Sequence, residues 1–275
     1  MNKTILAKGI DVSRWQGTID WNKVKAAGID FAIIRAGYCE YGGSLVVDKQ
    51  FTANMDGAAK AGVPVGAYIF SYAKTASAGT IAAQEMAKAL SGYALSLPVF
   101  FDMEDSSAVA YSGMGKSENA AIANAFLAAI QEAGYTPGFY SYKSFLENNI
   151  GDIMGGTDIW VAQWADSCTY KGDYAIWQNS ATGSVDGISG AVDTNICTKE
   201  YGNAAKPSVP ADPPKVDPGK ADADFIEYRV VKNDTLTGIA AKHGVPLSLV
   251  IKANPQIKNP NLIYVGDIVR IPCKL

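Results

Sequence analysis

The chain has 275 residues, 48% of them hydrophobic and 19% charged, with a formal net charge of −3 at pH 7. That length allows one large domain, or one large and one small, and the balance is that of a soluble globular protein. The charge gives no ground for nucleic acid or a membrane surface as the main partner, and no apolar run approaches the ~20 residues that span a bilayer.

The opening MNKTILAKGIDV holds only TILA between its first two lysines, too short for the apolar core of a signal peptide. Synthesis in the cytoplasm is therefore expected, with any outside target reached without general secretion. Further on, strand-like apolar runs alternate with helix-like stretches. The runs are KGIDVS, FAIIRAGY, VPVGAYIFSY, LPVFFDME, PGFYSY, DIWVAQW, YAIWQNS and AVDTNIC. Between them, DWNKVKAAG, FTANMDGAAKAG, TIAAQEMAKAL and NAAIANAFLAAIQEAG carry apolar residues at three- and four-residue spacing, which predicts helices. Strands alternating with helices pair in parallel and keep the helices outside the sheet. About eight such strands predict a compact, TIM-like β/α barrel, irregular because its later strands have short connections. A doubly wound open sheet is the alternative.

Past the last run, AKPSVPADPPKVDPGKADAD holds five of the twelve prolines and no apolar periodicity. It reads as an extended linker over residues 202–224. The body before it, residues 1–201, has 14 basic and 20 acidic side chains, whereas the tail, residues 225–275, has 7 and 3. A basic module behind an acidic body suggests a second task on an anionic polymer.

Four cysteines, Cys39, Cys168, Cys197 and Cys273, lie far apart without a CxxC pair, and the sole histidine is His243. Free thiols are expected, and zinc chemistry has almost no ligands to use. A Ser-His or Cys-His nucleophile is excluded from the first 200 residues, which contain no histidine.

The chemistry concentrates in PVFFDMED, residues 98–105, where four apolar residues run into three carboxylates. Alternation puts Phe100, Asp102 and Glu104 on one face of a strand and Val99, Phe101 and Met103 on the other. Asp11 ends the first strand and Asp193 lies in the last, so three strand ends bring four carboxylates towards one barrel mouth. Turn caps or partners for Arg14 and Arg35 are the plain reading of such acids, and a Mg²⁺ or Ca²⁺ site is another. No phosphate cradle accompanies them. Instead Trp15, Tyr38, Tyr68, Tyr140, Trp164 and Trp177 fall in or beside strand ends, which with a carboxylate pair suits glycoside cleavage. Arg35 joins these aromatics as a candidate substrate contact.

KGIDVSRWQGTIDWNKVKAAGIDFAIIRAGY, PVFFDMED, DIWVAQW and WQNSATGSVDGISGAVDTN closely resemble glycoside hydrolase family 25, the Chalaropsis-type lysozymes, across residues 8–197. The resemblance implies a β-1,4-N-acetylmuramidase acting on bacterial peptidoglycan. It makes Glu104 the general acid, Asp102 its partner, and Asp11 and Asp193 the other active-site acids. A carboxylate-only glycosidase needs neither cofactor nor metal. Residues two apart in a strand are about 6.6 Å apart, between the usual retaining and inverting separations, so spacing does not choose the second step. The family is suspected of using the substrate's acetamido group as nucleophile, oriented by Asp102; Asp193 as direct nucleophile is the rival.

Residues 228–272, YRVVKNDTLTGIAAKHGVPLSLVIKANPQIKNPNLIYVGDIVRIP, resemble a LysM domain. Two short strands flank two helices, with Asp234 as the expected N-cap of the first helix and His243-Gly244 closing it. The resemblance implies glycan contacts at Asp234, Thr235, Leu236, Asn261, Leu262 and Ile263. A muramidase with a wall-binding module fits a phage or prophage endolysin, or an autolysin with unusual export. A non-catalytic wall binder and a hydrolase of another aminosugar polymer such as chitin are the competing readings.

Overall fold

The computed structural model describes residues 3–105, 111–202, 225–230, 234–242, 247–254, 257, 263 and 267–272. Contacts divide the chain into two units, Met1–Ala211 and Asp212–Leu275. The Pro-rich stretch from 203 to 224 lies outside the described residues.

In the first unit the chain runs β1 (Ala7–Val12), α1 (Trp21–Ala26), β2 (Phe31–Cys39), β3 (Leu45–Val47), α2 (Phe51–Ala61), β4 (Val65–Ser71), α3 (Ala76–Ala89), β5 (Val99–Asp102), α4 (Lys116–Glu132), β6 (Pro137–Tyr142), α5 (Lys143–Asn148), β7 (Asp158–Ala162), β8 (Ile176–Gly183) and β9 (Val192–Cys197). All eight expected strands are present. Helix starts follow from local chemistry: Asp20 accepts from the Lys23 N–H and Thr75 from the Ala78 N–H, each satisfying an orphan donor of the first turn. Gly62 ends α2 in the left-handed conformation, φ 68°, that favours glycine.

The sheet order is β1-β9-β8-β7-β6-β5-β4-β2-β3, and an additional parallel β1–β2 pairing closes the ring into a barrel of eight strands. An open sheet is thereby excluded. Its irregularity is specific: β9 runs antiparallel to both β8 and β1. β3 is a three-residue edge strand forming a hairpin with β2.

Two apolar layers result from alternation. Outward-facing Ile10, Ile34, Ile69, Phe101 and Val161 pack with helix residues such as Met55, Met86, Phe126 and Leu127. Inward-facing Phe31, Ile33, Phe100, Trp160 and Ile176 plug the barrel. The plug is tight enough that a Cβ on Gly138 would lie 2.3 Å from the Phe100 ring. Above this plug the inward positions become polar, and there the cavity opens. Among the described residues no helix is long and apolar enough to cross a membrane.

The second unit contains β10 (Phe225–Arg229), α6 (Leu236–Lys242), α7 (Leu247–Ala253) and β11 (Ile268–Pro272), with β10 and β11 antiparallel. This is the expected βααβ order. Its core comprises Val230, Leu236, Ile239, Ala240, Val250, Val269 and Ile271. Asn254 ties the parts together, donating to the Val250 and Arg270 carbonyls and accepting from the Arg270 N–H.

The N-cap of α6 is Thr235, not Asp234: Thr235 Oγ1 accepts from the Gly238 N–H at 3.0 Å, while Asp234 accepts from the Tyr228 hydroxyl at 2.9 Å. Leu236 is 1% exposed, a core side chain and not a surface glycan contact. Thr235 is exposed and Ile263 half-buried. His243, Gly244, Asn261, Leu262 and Cys273 lie outside the described residues. Cys39, Cys168 and Cys197 are free thiols.

Candidate active site

One open cavity of about 160 Å³ at the barrel mouth is lined by Asp11, Arg35, Tyr68, Phe70, Asp102, Glu104, Tyr140, Trp160, Gln178 and Asp193. All four expected acids therefore meet in one place, with Arg35, Tyr68 and Tyr140 among them. Each reaches it by strand alternation. Asp102 lies between Phe70 of β4 and Tyr140 of β6 in the ladder, and Glu104 follows two residues later on the same side. Asp193 is at the start of β9, not its end. It reaches the mouth because β9 runs antiparallel, which sets it directly opposite Asp11 of β1.

The acids form two pairs. Asp102 is 4% exposed and shares a hydrogen bond with Glu104. Burial, then the Glu104 charge, pushes the Asp102 carboxyl well above the ordinary range. Burial also raises Glu104, against the lowering effects of its hydrogen bonds to Asp102 and Tyr140 and of the Arg35 charge. The Oδ1 atom of Asp102 is buried without a hydrogen-bond partner. In the second pair, burial and the Asp193 charge push Asp11 up to about 8, and burial raises Asp193. The Asp11–Asp193 pair therefore holds a proton near neutral pH, burial favours the protonated form in the Asp102–Glu104 pair as well, and each titration belongs to the pair.

Gln178 and Asn195, which sequence reasoning missed, hold the second pair. Gln178 is 2% exposed and donates through Nε2 to Asp11 at 3.0 Å and to Asp193 at 3.3 Å. Its Oε1 accepts from the Tyr140 hydroxyl at 3.1 Å and from the Trp164 indole at 3.2 Å. An indole N–H only donates, so Trp164 fixes which end of the amide faces the acids. Asn195 donates to Asp11 at 2.8 Å and accepts from the Trp160 indole at 2.8 Å. The period of two from Asp193 to Asn195 was the available signal.

Four of the expected aromatics are elsewhere. Trp177 faces the helices, because Ile176 and Gln178 occupy the inward positions of β8; its indole donates to the Gln163 carbonyl at 2.7 Å. Trp164 stands on the rim, 66% exposed, and reaches the cavity only through Gln178. Tyr38 lines a separate pocket with Glu40, Tyr41 and Tyr72. Trp15, also exposed, carries the Arg14 guanidinium 4.7 Å from its ring centroid.

The sequence model for glycosyl hydrolases family 25 matches residues 10–188, and that for the LysM domain matches residues 228–272. Lysozyme M1 of Streptomyces globisporus is 35% identical over 212 residues, covering 72% of this chain and 69% of that protein. The crystal structure of a bacterial lysozyme from Streptomyces coelicolor superposes with a TM-score of 0.60 at 30% identity, covering 70% of this chain and 93% of that one. The autolysin LytC of Streptococcus pneumoniae, in complex with a synthetic peptidoglycan ligand, matches with a TM-score of 0.61 at 26% identity, over 69% of this chain and 46% of that one.

Proposed function

This chain belongs to glycosyl hydrolase family 25, and on that premise we propose that its barrel cleaves the β-1,4 bond between N-acetylmuramic acid and N-acetylglucosamine. At the coarser level it is a peptidoglycan hydrolase carrying a LysM wall-binding module. The observation that carries the finer reading is the Asp102–Glu104 pair, two buried carboxyls joined by a hydrogen bond at the cavity wall.

Burial keeps a proton within this pair at a pH where isolated carboxyls have lost theirs. Glu104 is the less buried member and delivers that proton to the leaving oxygen. The substrate's acetamido N–H donates to the Asp102 carboxyl at the cavity wall. That contact favours the anionic form of Asp102 and so moves the shared proton to Glu104. The acetamido oxygen, oriented by Asp102, then attacks the anomeric carbon as the glycosidic bond breaks. Asp11 and Asp193, sharing a proton and held by Gln178 and Asn195, place one negative charge beside the developing oxocarbenium centre.

Mass spectrometry of the ends released from purified cell walls tests this. Reducing-end muramic acid is the expected product. Reducing-end glucosamine would replace the bond assignment, and intact glycan would overturn catalysis.

A further inference from the structure

Beside the acid cavity, Tyr38, Glu40, Tyr41 and Tyr72 line a second open pocket of about 310 Å³. Phe70 connects the two: it lines the acid cavity, and its ring centroid lies 5.1 Å from that of Tyr72. A register shift in β2 between Arg35 and Gly37 allows this. Three positions apart in a regular strand, Arg35 and Tyr38 would face opposite ways; the extra residue returns Tyr38 to the mouth side, beside Phe70.

The rings stand as walls and not as a platform. Tyr38 and Tyr41 lie 5.6 and 6.2 Å from Tyr72, at 87° and 78° to it. A sugar stacks on one flat exposed face, whereas ring faces meeting near right angles surround a compact cation. The pocket is also fixed in place. Glu40 donates its N–H to the Ser44 carbonyl and accepts from the Gly43 N–H, while the Tyr72 N–H reaches the Cys39 carbonyl and the Lys74 N–H the Tyr41 carbonyl. The carboxylate of Glu40 makes no ion pair among the described residues, and the Lys74 ammonium sits over the Tyr111 ring, 4.8 Å from its centroid.

We propose that Tyr38, Tyr41, Tyr72 and Glu40 form a box for a primary ammonium, and that its ligand is the uncross-linked side-chain amine of a peptidoglycan stem peptide. This rests on the glycosidase reading above. A stem hangs from muramic acid by its lactyl group, and its third residue lies about 10 Å along an extended chain, long enough to lead out of the acid cavity towards a neighbouring pocket. Cross-linking or acylation removes the positive charge that the box selects.

The test uses the full chain and three soluble glycans: without stems, with free-amine stems, and with stems N-acetylated by acetic anhydride. For the wild type, KM for the free-amine glycan should be about 3- to 10-fold below that for the acetylated one, with kcat unchanged. E40Q and Y41L should each bring that ratio close to one. Equal KM on free and acetylated stems in the wild type would overturn the proposal, as would a ratio that survives both substitutions. KM rising equally on all three glycans in Y41L would make the pocket a sugar subsite instead. Cleavage of none of the three would overturn the glycosidase reading itself, a different outcome from cleavage without discrimination.

Discussion

Asp11 and Asp193 face each other directly across the antiparallel β1–β9 ladder. Like charges in that relation repel, so the pair is relieved by one shared proton and by the amide donors of Gln178 and Asn195.

That arrangement makes stability depend on pH with a definite sign. Asp11 moves from an ordinary 3.8 to about 8 on folding, mainly by burial. Between those values the native state keeps a proton the unfolded chain has lost. The stabilisation is complete below the lower value and disappears as the pH rises through the upper one. Calorimetry should show the barrel losing Tm from pH 5 to pH 9. Asp11→Asn keeps an acceptor for both amides and gives Asp193 a permanent donor. At pH 8.5 it should melt roughly 2–4 °C above wild type, about 1 kcal/mol, with a flatter pH dependence. An unchanged slope would show that Asp11 is ionised in the fold.

Glu104→Gln retains shape and hydrogen bonding while removing the transferable proton. Release of reducing ends from cell walls should fall at least ~10²-fold with little change in Tm. A folded variant with near-normal turnover would move the general acid elsewhere.

Gln178→Leu removes that side chain's two donations to the acid pair, leaving the one from Asn195, and the acceptor of the Tyr140 hydroxyl. Leaving buried polar groups unpaired should cost roughly 1–3 kcal/mol, with activity lost beyond that expected from the fraction unfolded. Trp164→Phe removes only the rim donor that orients the amide. It should be the milder variant in both melting and rate.

A chain ending at Tyr201 keeps all four acids and the Tyr201–Asp158 hydrogen bond at 2.9 Å. It should fold and cleave short soluble glycans near the full-length rate, yet act markedly more slowly on intact walls. Tethering raises local substrate concentration without altering chemistry. Equal rates on intact walls would deny the LysM module a targeting role.

The barrel strands and all four acids were legible because they combine long apolar alternation with charges that a buried strand should not contain. β3 was not, being three residues long and largely exposed. α5 begins directly after β6, so no turn residues mark its start. The direction of β9 cannot be read from its own residues, and with it went the placing of Asp193 at a strand start. Trp177 and Gln178 are adjacent, so one must face inward and the other outward; aromatic character suggested the tryptophan, and register gave the glutamine. Gln178 and Asn195 carry no charge to draw notice, and their importance comes from what surrounds them. The shift after Arg35 is likewise invisible until β2 and β4 are paired.

Closing the ring through β1 and β9 also sets an order of events. Asn195 and Asp11, bonded at 2.8 Å, are 184 residues apart in the chain. On a ribosome the first strand must wait, its polar edge unpaired on that side, until nearly the whole barrel has been synthesised. Such distant pairing is slow to form and leaves early strands exposed meanwhile. A chain arrested between β5 and β8 has Asp11, Asp102 and Glu104 but lacks Asp193, the Gln178–Asn195 bracket and a closed wall. The full set of four acids therefore comes together only as the barrel is finished.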